Sequence, residues 1–194
     1  MPVFSKVMSV NRFTAILQSL HFQDNTLPTD NDRMRKIRPV FTYICNRFKA
    51  TFVPFQKLVI DESLVLWRGN LYFRQYIQTK RHRFGLKLYV LCDCETGYIL
   101  DMNLYLGAGT DIIHTKELGK SGSVVSTMLE PYLGKGYILY VDNWYTSPAL
   151  FYFLHENLTG ACGTVRPNRK CMPKFPPRLM KVKSSINRHT TFSH

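Results

Sequence analysis

The sequence predicts an α/β protein built on a mixed sheet. Three observations predict it. From residue 57 onward, apolar and β-branched runs form three strands in succession. A helix–strand alternation follows, so the order reads β-β-β-α-β-α-β. The clearest unit is GYILYVDNWYTSPA at 136–149, which reads as strand, acid, short loop, helix. Its apolar run at 137–141 stops on Asp142, and Ser147 followed by Pro148 is a helix start. In α/β folds, chemistry sits outside the carboxyl end of such a strand.

A small helical domain precedes the sheet. Residues 9–22 place Phe13, Ile16, Leu17 and Leu20 at helical spacing. A polar stretch with Pro28 is a loop, and a second helix spans about 33–51. Its apolar stripe is Met34, Ile37, Phe41, Ile44 and Phe48, and Pro39 either kinks it or marks its real start. Arg33, Arg35, Lys36, Arg38, Arg47 and Lys49 surround that stripe, as a solvated face or a phosphate-contacting one.

The strands come next. Residues 57–67 are a strand candidate, apolar after Lys57 except at Asp61, Glu62 and Ser63. Residues 84–92 put Leu86, Leu88, Val90 and Cys92 on one face. In 98–106, Leu100, Met102, Leu104 and Leu106 point inward. The DCETG link makes these last two a hairpin. Residues 119–136 open with Ser121 and Ser123 as helix caps, and Pro131 ends or bends that helix. The Pro148 helix runs to about 157, and a last strand spans 160–165. Residues 166–194 carry eight Lys or Arg, four prolines and no acid, which reads as a poorly ordered basic tail.

Composition narrows the function. A chain of 194 residues, 45% hydrophobic, can bury one substantial core and a small extra domain. A net charge of +13 favours a polyanionic partner, nucleic acid before an acidic membrane surface. No apolar run reaches the roughly 18 residues that span a bilayer. The opening MPVFSKVMSV lacks a secretory signal's apolar core. Five scattered cysteines are no disulfide framework and point to a reducing compartment. Cys92 and Cys94 are too close for a usual zinc pair, and the histidines share no ligand spacing. No small-molecule motif stands out.

Two acids could carry chemistry. Asp61 interrupts an apolar run, where an ionised carboxylate costs several kcal/mol unless paired or bound to a cation. If its strand neighbours the one ending at Asp142, both acids can face one cleft and hold Mg²⁺ against a phosphodiester. The bland alternative has Asp61 paired with a local arginine and Asp142 capping a turn. Spacing alone leaves both open. Arg68, Arg74, Lys80, Arg81, Arg83 and Lys87 form either a soluble loop or a phosphate-binding rim. Trp144 and Tyr145 read first as packing aromatics, and Asn143 as a support for the loop.

The stretches VIDESLVLWRGN, RQYIQTKRHRFGLKLYVLCDCETGYILDMNLYLG, KGYILYVDNWYTSPALFYFL and GACGTVRPNRKCMPK together resemble the piggyBac transposase family. MSVNRFTAILQSLHFQDN and RMRKIRPVF resemble the domain that precedes that family's core, and the likeness is collinear over about 8–178. The resemblance implies a ribonuclease H-like fold, Mg²⁺ or Mn²⁺ as cofactor, and metal-dependent cutting and joining of double-stranded DNA. It also implies a nuclear protein, with a homodimer allowed. Asp61 matches the family's first catalytic aspartate and Asp142 its second. The third lies on a late helix after an insertion, and here no acid follows Glu156. Glu62 is a poor substitute, because neighbours in a strand face opposite ways.

On this reading 1–56 is the helical part of a dimerisation and DNA-binding domain. Residues 57–168 are a ribonuclease H-like core without its last helix, and 169–194 are the basic tail. Arg166, Arg169 and Lys170 join the candidate DNA contacts. The expectation is an incomplete transposase that does not transfer strands alone. A domesticated DNA-binding protein or a transposon remnant is the alternative.

Overall fold

The computed structural model describes residues 3–24, 26, 32–67, 69, 71–77 and 84–173. The chain divides into two compact units, Met1–Arg47 and Phe48–His194.

The first unit holds α1 (Val3–Val7) and α2 (Val10–Ser19), and α3 (Arg38–Thr51) begins in it. Ser9 caps α2, its Oγ accepting from the Arg12 N–H at 3.3 Å. The helix stops short of the expected 22. Ser19 donates its hydroxyl to Ala15 O at 2.9 Å, and the next residue turns extended. Its apolar stripe of Phe13, Ile16, Leu17 and Leu20 stays exposed. The helix expected from 33 begins at Arg38, because Asp32 organises 33–37 as a turn. Its carboxylate accepts from Met34 N–H at 2.9 Å and from Arg38 Nη2 at 2.7 Å. Pro39 then falls in the first helical turn, where no N–H is needed.

The second unit contains the sheet. Its strands are β1 (Lys57–Leu66), β2 (Gln75–Tyr76), β3 (Phe84–Asp93), β4 (Ile99–Leu104), β5 (Ile138–Val141) and β6 (Gly160–Gly163). The order is β2-β3-β1-β5-β6, with β4 also on β3. β1 is central: antiparallel to β3 on one side and parallel to β5 on the other. β5 and β6 are parallel too, so the sheet is mixed as expected. β2 is an addition to the expected order. Two residues carry no periodicity, and only pairing with Gly85 and Phe84 makes them a strand.

One face of this sheet carries the core. Leu58 and Ile60 of β1, Tyr89 and Leu91 of β3, and Leu139 and Val141 of β5 share it by register. Val124, Val125, Met128 and Leu129 of α4 (Gly119–Leu129) cluster with them, as do Leu150 and Leu154 of α5 (Pro148–Glu156). Each such side chain contributes about 1.5–3 kcal/mol on burial. The inward face of β3 is therefore Tyr89 and Leu91. On the face read from the sequence, Leu88 is buried, while Leu86, Val90 and Cys92 are only half-buried.

Both helix ends follow local chemistry. Ser147 Oγ accepts from Leu150 N–H at 3.2 Å and Pro148 opens α5. The expected serine caps of α4 are not used. Leu118 precedes that helix, and the buried Ser123 hydroxyl bonds Gly119 O at 2.7 Å and Thr115 N–H at 3.0 Å instead. Pro131 sits in the turn that ends α4.

The β3–β4 turn is built on Asp93, which is fully buried. It accepts from the N–H groups of Phe55 at 3.0 Å, Glu95 at 3.1 Å and Thr96 at 2.8 Å, and from Thr96 Oγ1 at 2.7 Å. Burial alone would raise its pKa, but these hydrogen bonds together hold it below the usual aspartate value. The stabilisation from a depressed carboxylate is present above the unfolded-state value and is lost as pH falls through the folded one. Asp93→Ala should lower stability by about 3 kcal/mol in urea unfolding at neutral pH. It should also flatten the loss of stability on the acid side of the wild-type profile.

Candidate active site

The site is defined by where β5 ends. Its register with β1 runs from Lys57↔Ile138 to Ile60↔Val141. The next residue on each chain is an acid, Asp61 and Asp142. Neighbouring strands lie about 4.8 Å apart, so the two residues stand side by side. Beyond this point β1 continues against β3 alone, leaving a notch beside it. Both acids are exposed. Asp61 therefore does not bear the desolvation cost that its apolar neighbours suggested.

Strand alternation puts Asp61 on the face of Val59, and Asp142, continuing β5, on the face of Tyr140. That face is half-buried, opposite the core. Asp61 Oδ1 accepts from Glu62 N–H at 2.7 Å. Asp142 Oδ1 accepts from Trp144 N–H at 2.8 Å and Tyr145 N–H at 3.4 Å. So Asp142 does cap its turn, and an arginine partner for Asp61 is not present among the described residues. The second oxygen of each carboxylate meets no donor among them. Two hard oxygen donors suit Mg²⁺ or Mn²⁺, which bind one or two carboxylates and retain water. No cluster of three or more His, Cys, Asp or Glu that could hold a metal occurs among the described residues.

Tyr145 lies beneath the acid-bearing segments. It is fully buried, and burial first, then Glu62, with Tyr89, Asp61 and Asp142 behind, raises its pKa far above the ordinary phenol.

The loop after Asp142 is held from several sides. Arg166 donates from Nε and Nη2 to Asn143 Oδ1 at 3.1 and 3.0 Å. Arg169 Nη2 donates to Asn143 O at 2.8 Å and to Trp144 O. Trp144 stacks on Tyr89, with centroids 6.0 Å apart and planes 12° apart. Thr146 Oγ1 donates to Asp142 O at 2.8 Å. Gly163 of β6 closes in below: a methyl group there would sit 2.5 Å from Val141 O and from Thr146 Oγ1.

The expected DNA contacts separate into groups. Arg166 and Arg169 brace the acid-bearing loop, a role invisible without the fold, since they reach back 23 and 26 residues. Lys87 is internal: its Nζ lies 2.7 Å from Glu62 Oε1. Arg74 is exposed, bonding Gly69 O at 3.3 Å with its guanidinium 4.8 Å over the Phe84 ring. Lys170 is exposed. Arg68, Lys80, Arg81 and Arg83 lie outside the described residues, as does the tail from 174 onward.

A cavity of about 740 Å³ adjoins the loop, its charged lining being Lys116, Lys120, Arg169 and Lys170 with one acid, Glu117. The first turns of α4 and α5 both contribute to it. Lys116 and Lys120 were not singled out from the sequence; their placing around the Gly119 helix start was the available signal. No helix among the described residues is long and apolar enough to cross a membrane.

Comparison with known proteins agrees along the chain. A family model described as "Transposase IS4" matches residues 1–193. Human "PiggyBac transposable element-derived protein 3" is 31% identical over 167 residues, which cover 84% of this chain and 28% of that protein. Human "PiggyBac transposable element-derived protein 2" is 28% identical over 186 residues, 89% of this chain and 30% of the other. Among solved structures, a chain of a piggyBac transposase synaptic complex with hairpin DNA matches with a TM-score of 0.82 and 29% identity. That match covers 94% of this chain and 38% of the other. The chain thus spans less than a third of the curated relatives' length. A match over nearly every residue, on a shared mixed sheet, means that the chain belongs to the IS4/piggyBac-type transposase family.

Proposed function

We propose that this transposase domain binds double-stranded DNA and one Mg²⁺ or Mn²⁺ ion, on a ribonuclease H-like core, in the nucleus. Asp61 and Asp142 are its metal ligands. One observation carries the reading: the parallel register sets these two acids side by side where β5 stops. Bound there, the ion would neutralise charge on a scissile phosphodiester and activate the attacking oxygen.

The chain's own residues prepare that site. Asp61 and Asp142 each use Oδ1 for the local backbone and leave the other oxygen without a donor among the described residues. Arg166 and Arg169 fix the loop that presents Asp142. The lysine-lined cavity beside the loop suits backbone phosphates, which are also drawn by the first turns of α4 and α5. That the solved relative is a complex with hairpin DNA supports the same partner. Two carboxylates suit a single hydrated ion rather than two.

Mn²⁺ titration of the full chain, read by electron paramagnetic resonance, should show one site that disappears in both Asp61→Ala and Asp142→Ala. Equal binding in all three proteins would leave a purely electrostatic DNA binder. For the cavity, Lys120→Gln with Lys170→Gln should weaken DNA binding regardless of sequence. The slope of log K against log salt should fall by about 2, one for each phosphate no longer neutralised. An unchanged slope would move the DNA surface elsewhere.

A further inference from the structure

On the core side of the sheet, behind the acids, lies a cluster that the DNA reading does not use. Lys87 Nζ is 2.7 Å from Glu62 Oε1. The same ammonium lies 5.0 Å from the ring centroids of both Tyr89 and Trp144, and 5.7 Å from that of Tyr105. Its side chain is only 17% exposed. A lysine that meets phosphate needs its charge free at the surface, and this one is spent inside the fold. Cation–π attraction of this kind strengthens as water is excluded.

The partners of Lys87 are the two segments that carry the acids. Glu62 follows Asp61 on β1, and its N–H is the donor to Asp61 Oδ1. Trp144 follows Asp142 by two residues, and its N–H is the donor to Asp142 Oδ1. Register explains why one lysine reaches both. Glu62 pairs with Tyr89, and Lys87 is two residues from Tyr89 on the same face of β3. Trp144 stacks on that same Tyr89. Past Ile60↔Val141 no strand pairing joins β1 to the β5 side. Lys87 supplies the missing tie.

We propose that Lys87 is a positioning residue, clamping the Asp61–Glu62 step of β1 to the Asp142–Trp144 turn so that the two carboxylates keep the spacing a divalent ion needs. This rests on the metal-binding reading above and adds a residue to it. Lys87 touches neither ion nor DNA.

Charge and position must be separated in the test, because deleting Lys87 alone leaves Glu62 uncompensated, and that extra negative charge would attract a cation. The pair Lys87→Met with Glu62→Gln removes the clamp and keeps the net charge. In the full chain it should weaken Mn²⁺ binding about 10-fold, the usual cost of removing an outer support of a metal site. The salt slope of DNA binding should stay as in wild type. Lys87→Arg, which keeps the charge and the ion pair, should bind Mn²⁺ within about twofold of wild type. A thermal melt without metal confirms that each variant is folded. Unchanged Mn²⁺ affinity in the folded double variant would overturn the clamp and leave the acid pair as the ion site. A salt slope lowered by about 1 in Lys87→Met would make Lys87 a phosphate contact and overturn it too. Absence of Mn²⁺ binding in wild type would remove the metal reading and the clamp together.

Discussion

The parallel pairing of β1 with β5 is the constraint on which the rest of the structure depends. It is only a few residues long, because β5 itself spans Ile138–Val141. Parallel strands cannot be joined by a tight turn, so the chain must leave the sheet after β4, form α4, and return beside β1. The return is secured by burial. Leu139 and Val141 meet Leu58 and Ile60 under α4 and α5, in one apolar cluster. Side chains alternate along a strand, so this burial also decides which way the next residue points. A slip of one position would turn Leu139 and Val141 out of the core and expose them. The same slip would take Asp142 away from Asp61. The hydrophobic effect thus sets the spacing of two charged groups that it does not touch.

That arrangement also explains how the acids are tolerated. Asp61 lies in an apolar strand, yet it is exposed, because its strand neighbour ends one residue earlier. Asp93 is the contrast. It is buried with no cation against it among the described residues, and four hydrogen bonds satisfy it, three from its own turn and one from the distant Phe55 N–H. One carboxylate is used up by the fold, and the other two keep an oxygen that meets no donor among the described residues. This difference in satisfaction, more than acidity, separates the structural acid from the candidate ligands.

Much of the sheet was legible in the sequence because its strands are apolar and regularly spaced. The Ser147–Pro148 start of α5 was legible because both residues act locally. The two acids stood out there as well, one inside an apolar run and one at a strand end, but spacing alone left open whether they meet. What escaped depends on distant partners. β2 exists through its pairing with β3. The start of α4 was not legible, because Ser123 bonds back to Thr115 across a loop instead of capping the helix. Lys87 looked like part of a basic surface run, and only the register with Glu62 and Tyr89 shows it to be internal. Arg166 and Arg169 read as a tail, while in the fold they anchor Asn143 and Trp144. Charged side chains are hardest to place from sequence, since their role is decided by what the fold brings to them.

The register of β1 on β5 is measured most directly by amide and α-proton contacts across the two strands. In a nuclear Overhauser spectrum of the isotope-labelled chain, Ile60 should show cross-strand contacts to Val141, with Asp61 adjoining Asp142. Contacts shifted by one residue, or none between these strands, would put the two acids on different faces or apart, and would contradict the account.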